Sequence, residues 1–187
     1  MPLFTIGHSN HQIERFIELL RMHTVDTLID VRSVPTSRWH TQFDRASLES
    51  ALGATGIIYC YMGNLLGGRL DGDDLYDQRG YANYDAFSNT SVFKQGIQKV
   101  LDVLGQERRV ALMCAEEDPK HCHRRLLIAR HLFDHYGIDA VHIRRDGTCQ
   151  TESELRRATT PSLFDDDPDW SQPAYSSRPI PGRARRP

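Results

Sequence analysis

Apolar residues follow two rhythms along this chain. Short continuous runs, "PLFTIG" at 2–7, "VDTLIDV" at 25–31, "IIYCYM" at 57–62, "RVALMC" at 109–114 and "AVHI" at 140–143, read as strands. Between them, apolar side chains return every third or fourth position. Ile13, Phe16, Ile17 and Leu20 form one such stripe, and Leu48 with Leu52 a shorter one. Val92, Phe93, Ile97, Val100, Leu101 and Leu104 form a third, and Leu126, Ala129, Leu132, Phe133 and Tyr136 a fourth. Each stripe is one buried face of a helix. Ser9 or Asn10 suits the N-cap of the first helix, Asp44 that of the second, and Gly137 closes the last. Residues 63–90 break both rhythms. They are rich in Gly, Asp, Asn and Tyr and predict a long irregular excursion, the kind of loop that usually carries function or acts as a lid.

Strand and helix in alternation predict a single Rossmann-like, three-layer α/β domain over residues 1–150. Its sheet is mostly parallel, of about five strands, with helices on both faces. From about residue 150 the rhythm stops. Residues 151–187 are rich in Pro, Ser and charge, predict a disordered tail, and end in Arg183, Arg185 and Arg186.

The totals fit one domain with a real core: 187 residues, of which 39% are hydrophobic. Net charge is −2, so the overall balance neither favours nor disfavours a nucleic-acid partner. No apolar run is long enough to span a membrane, so no membrane partner is expected. "MPLFTIGHSN" lacks the basic and apolar regions of a signal peptide. The expected location is cytoplasmic. The four cysteines, Cys60, Cys114, Cys122 and Cys149, are then expected as thiols, ligands or catalysts.

Chemistry concentrates in "LMCAEEDPKHCHRR", residues 112–125, at the junction of a strand and a helix. Cys114 ends the strand. Asp118 is placed as N-cap and Pro119 as the first helical residue, with Cys122, His123 and Arg124 in the opening turns. A helix N-terminus favours a thiolate or a bound anion. In a parallel sheet, sites form beyond the carboxyl ends of the strands. Beyond the first strand come Gly7, His8 and Ser9, and beyond the second Asp30, Arg32, Ser33 and Ser37. Beyond the third come Tyr61 and then "NLLGGR", with Gly67, Gly68 and Arg69. Beyond the fourth come Cys114 and Glu116. The predicted catalytic group is His8, Asp30, Cys114, Glu116, Cys122 and His123. The predicted binding group is Ser9, Arg32, Ser37, Tyr61, Gly67, Gly68, Arg69 and Arg124.

At these residues the chain resembles a known family. "TIGHS", "LIDVRSVPTS", "LLGGR" and "MCAEEDPKHCHR" together look like the bacterial and archaeal "domain of unknown function 488" family, over roughly residues 3–145. The element Cys114, Glu116, Pro119, Cys122, His123, Arg124 carries most of the resemblance. It implies a small α/β domain with a shared site and no established activity.

Three readings of the cluster compete. The first is a thiolate site of the sulfurtransferase or low-molecular-weight phosphatase kind. Three carboxylates follow Cys114 where an anion cradle should be, which counts against it. The second is a zinc-binding module using Cys114, Cys122 and His123. Neighbours on a helix point about 100° apart, which keeps Cys122 and His123 from sharing an ion unless the turn is irregular. No metal is therefore assigned, and the sequence names no cofactor. The third uses most of the residues: a nucleotide- or nucleic-acid-directed site. Arg32 and Arg124 would hold phosphate, Glu116 would act as base, and Cys114 would be a nucleophile or a wall. His8 would shuttle a proton, and Trp39, Tyr59, Tyr61, Tyr76, Tyr81 and Tyr84 would offer stacking faces. As a binding module, the same groups would grip a nucleotide without turnover. Ser162, Leu163 and Phe164 in the tail resemble a sliding-clamp-binding peptide, without its leading Gln. That partner would point to DNA repair or replication.

Overall fold

A computed structural model describes residues 2–159 and 175–182. Its first five strands are β1 (Leu3–Gly7), β2 (Thr27–Asp30), β3 (Ile58–Tyr61), β4 (Val110–Cys114) and β5 (Val141–Ile143). These are the five apolar runs. All five pair in parallel, and a sixth, β6 (Cys149–Thr151), runs antiparallel to β5. The order across the sheet is β3-β2-β4-β1-β5-β6. Thus β4, late in the chain, inserts between β1 and β2. The loops that leave these three strands crowd together at one edge, where open α/β sheets place their sites.

Successive strand residues point to opposite faces and join different cores. Leu3, Ile29, Val31, Val110, Leu112 and Cys114 pack on one side, and Phe4, Ile6, Leu28, Ala111 and Met113 on the other. The second face is covered by α1 (Ile13–Met22) and α2 (Arg45–Gly53), through Phe16, Leu19, Leu20, Leu48 and Leu52. Four helices supply the first face: α3 (Gly63–Leu66), α4 (Tyr84–Ser88), α5 (Ser91–Gly105) and α6 (Arg130–Tyr136). A wider π-type turn, Arg124–Ala129, leads into α6. Gly137 ends α6 in the left-handed conformation, φ +65°.

Three expectations are corrected. The ordered fold runs past residue 150. β6 and α7 (Glu152–Thr159) follow, and Cys149 opens β6 instead of lying beyond the last strand. α7 is held by a buried polar network. His142 Nε2 donates to Glu152 Oε2 at 3.1 Å, and Arg125 Nε donates to the same oxygen at 2.8 Å. Second, α1 is capped by neither Ser9 nor Asn10. Gln12 occupies the N-cap with no side-chain bond, and Ser9 turns the chain at φ +47°. Third, Asp44 occupies the N-cap of α2 as expected, but its carboxylate caps no helix N–H and accepts from the Ser37 N–H at 2.7 Å instead. The excursion is less irregular than expected, since it contains α3, α4 and a bridge between Tyr76 and Ala82. Residues 175–182 return to it: Ser176 N–H donates to Ala82 O at 2.9 Å, and Ile180 N–H to Gly80 O at 2.8 Å. The clamp-like Ser162, Leu163 and Phe164 and the terminal Arg183, Arg185 and Arg186 lie outside the described residues.

Candidate functional site

Two clefts meet at the carboxyl edge of the sheet. The first, about 530 Å³, is lined by His8, Ser9, Arg32, Ser37, His40 and the Ala115–Asp118 loop, among others. The second, about 420 Å³, has Cys114, Cys122, His123, Gly68, Arg69 and Tyr84 on its walls. Residues 176–181 form one further side of it. Arg32, Val34, Ala115 and Glu116 belong to both.

The floor of the second cleft is built by an irregular piece of chain. Pro119–His121 make a single 3-10 turn, which Asp118 caps by accepting from Lys120 N–H at 2.9 Å. The turn then stops. Cys122 is extended, φ −120° and ψ 140°, and helical geometry resumes only at His123. The helix expected to run from Pro119 is therefore broken at the residue that matters. Across that break the side chains of Cys122 and His123 converge on Cys114. His123 Nδ1 lies 3.6 Å from Cys114 Sγ and 3.9 Å from Cys122 Sγ. The three donor atoms all fall within 4.8 Å of one another.

His123 is fixed from behind. Its Nε2 donates to Val31 O at 2.9 Å, so in the neutral ring Nδ1 carries the lone pair that faces both sulfurs. Gly68 packs against the ring: a Cβ there would sit 2.8 Å from its Cγ. "LLGG" thus has a steric reason for its second glycine. The sulfurs are buried, Cys114 at 7% exposure and Cys122 at 2%. The hydrogen bond to Cys122, and then burial, hold the Cys114 thiol well above its usual range. Burial works the same way on Cys122, but the Cys114 hydrogen bond and the Arg124 charge overcome it and hold Cys122 well below.

Arg124 and Arg32 do not offer open forks to a phosphate, contrary to expectation. Arg124 is fully buried. It donates to Glu116 O, to Glu117 O at 2.6 Å and to Thr5 Oγ1 at 3.2 Å, so it props the loop after β4 from beneath. Thr5 in turn donates to His142 Nδ1 at 2.8 Å, which joins this prop to the network that holds α7. Arg32 is 5% exposed and clamped by Asp30, Nη2 to Oδ2 at 2.7 Å and Nε to Oδ1 at 3.0 Å. Its Nη2 also donates to Phe43 O at 2.8 Å. Asp30 is buried beneath it and takes a further bond from Tyr59 Oη at 2.8 Å.

His8 lines the first cleft with its ring stacked on Phe43, centroids 4.4 Å apart. Nδ1 donates to Ser9 O at 2.9 Å, and Nε2 faces Arg32 Nη1 at 3.3 Å. Burial, then the Arg32 charge, lower its pKa from 6.5 to about 4; Asp30 works in the opposite sense. His40, edge-on at 6.5 Å, is the other titratable ring facing it. The unfolded chain therefore takes up a proton near pH 6.5 that the folded chain refuses until about pH 4. Stability is full above that window and falls as pH drops through it, by up to about 3 kcal/mol. Urea melts at pH 7 and pH 4.5 should show this loss, and His8→Gln should remove part of it, since His131, also lowered to about 4 by burial, titrates in the same window. An unchanged pH slope in the variant would assign the loss to other groups.

Among the remaining predicted residues, Ser9 and Ser37 line the first cleft. Ser37 Oγ is engaged by His40 N–H at 3.1 Å. Arg69 lines the second cleft, exposed, its backbone N–H held by Ser33 Oγ at 2.9 Å. Gly67 and Tyr61 line neither. Gly67 packs on Ser33, and Tyr61 lies under Arg45 with its hydroxyl 3.4 Å from Ser33 O. Of the six aromatics expected as stacking faces, Tyr84 alone reaches the second cleft, while Trp39 is 87% exposed elsewhere. Ser176–Pro181 were missed. Their one sequence signal is "PIP", residues 179–181, an apolar island in a polar tail.

The sequence profile of the family described as "Domain of unknown function DUF488" matches residues 12–131. The chain belongs to the DUF488 family. The match spans the cysteine–histidine loop, Arg32 and the "LLGGR" turn. It leaves out His8 and α7. No curated protein and no solved structure matches the chain. Membership fixes the family and supplies no reaction. Among the described residues, no helix is long and apolar enough to cross a membrane.

Proposed function

We propose that this DUF488 domain binds and acts on a nucleotide, free or within a nucleic acid, in the second cleft. The make-up of that cleft carries the reading. Tyr84, Val34, Pro179, Ile180 and Pro181 give it flat or apolar walls suited to a base, and Arg69 and Arg178 lie along it as cations for phosphate. Arg69 has no side-chain partner among the described residues. Arg178 is 73% exposed and, among the described residues, its side chain reaches only Glu116, at 3.8 Å. Both are therefore open to an anion, unlike Arg32 and Arg124. The volume of about 420 Å³ suits a small ligand. A phosphatase or sulfurtransferase reading is weaker, because the arginine that follows the cysteines lies under the loop and cannot face an anion above it.

The test is equilibrium binding of mononucleotides, short oligonucleotides and orthophosphate to the full chain. Nucleotides should bind more tightly than orthophosphate. Arg69→Ala and Arg178→Ala should each weaken nucleotide binding about tenfold. If no nucleotide or oligonucleotide binds at millimolar concentration, the reading is wrong.

A further inference from the structure

We propose that Cys114, Cys122 and His123 form a zinc site in the floor of the second cleft. The proposal rests on the convergence of three donor atoms, not on the nucleotide reading, and either can fail alone.

Two sulfurs and one imidazole nitrogen lie within 4.8 Å of one another, close enough to reach a single ion with small side-chain adjustments. The objection that neighbouring residues diverge on a helix does not apply, because the chain is extended at Cys122. The ring is already in the metal-ready tautomer. Metal-ligating histidines usually give their other N–H to a carbonyl or carboxylate, and here Val31 O takes it. Gly68 leaves room for the ring in that orientation. A soft donor set of two thiolates and one imidazole selects zinc among the common divalent ions.

Among the described residues, no fourth His, Cys, Asp or Glu joins the cluster. Structural zinc sites close with four protein ligands, whereas three ligands with an open position are the catalytic pattern. Here all three ligands line the second cleft, so the open position faces whatever the cleft binds. A zinc ion there would polarise a bound group or make water more acidic. Glu116, two residues beyond Cys114, lines the same cleft and stands outside the ligand cluster.

The experiment is elemental analysis of the full chain purified without chelator and again after dialysis against zinc. About one zinc per chain is expected. Cys114→Ser/Cys122→Ser and His123→Ala should fall to background, and Cys60→Ser should keep its zinc. Replacement by cobalt should give thiolate-to-cobalt absorption in the near ultraviolet. Should the double variant fail to fold, thiol labelling of the wild type decides. With zinc bound, Cys114 and Cys122 resist labelling until chelator is added, while exposed Cys149 reacts throughout. Background zinc after dialysis, labelling indifferent to chelator, or full zinc in the serine double variant each overturns the site. Nucleotide binding measured on the same samples shows which of the two proposals has failed.

Discussion

Arg124→Met should cost the domain about 3–5 kcal/mol, the largest loss expected from any single substitution near the site. The methionine fills most of the same volume but donates nothing. Glu116 O and Glu117 O, in the loop after β4, would lose their donor, and Thr5 would lose the Arg124 Nε–H. Buried acceptors left without donors each cost about 1–3 kcal/mol. The charge also matters, because Arg124 is one of the groups that lower the Cys122 pKa. Arg124→Lys should rescue little, since one ammonium cannot span three acceptors set by a planar fork. Urea denaturation of both variants measures this. If Arg124 served mainly as a phosphate ligand, the variants would keep their stability and lose only affinity.

Asp30→Asn should come second, at about 3 kcal/mol. Asp30 is fully buried and balances an arginine that is itself 5% exposed. Asparagine is nearly isosteric but leaves the Arg32 guanidinium charged and uncompensated, and it turns one acceptor into a donor that faces other donors. Tyr59→Phe removes only one bond to the same carboxylate and should cost about 1 kcal/mol. The ratio between the two variants is the informative quantity. A catalytic Asp30 that was not a structural anchor would leave the melts of both unchanged.

These two residues show what the sequence could and could not tell. Apolar runs placed β1 to β5 and α5 almost to the residue, because a buried parallel strand must be apolar on both faces. The same pattern put His8, Arg32, Cys114 and Glu116 at one sheet edge. It did not reveal that Asp30 and Arg124 sit below that edge. An arginine in "CHRRLL" looks solvent-facing in composition, and only the neighbouring backbone carbonyls make its burial tolerable. β6 and α7 escaped notice because "CQTESELRRAT" is mostly polar and carries no apolar stripe. It is anchored by Leu155 and by the Glu152 ion network rather than by an apolar stripe. The convergence of Cys122 and His123 was hidden because Asp118 and Pro119 signal a helix start, and nothing in the letters shows that the first turn breaks off after His121.

The wall made by residues 176–181 gives the site an order of assembly. During synthesis, Cys114, Cys122 and His123 leave the ribosome well before Ser176–Pro181, and the strands that carry the first cluster can pair while the last wall is still being made. The floor of the cleft is thus synthesised before the side that Ser176 and Ile180 hold in place through their bonds to Ala82 and Gly80. A chain that stops after α7 would emerge with its cysteines and histidine in place and one side of the cleft missing.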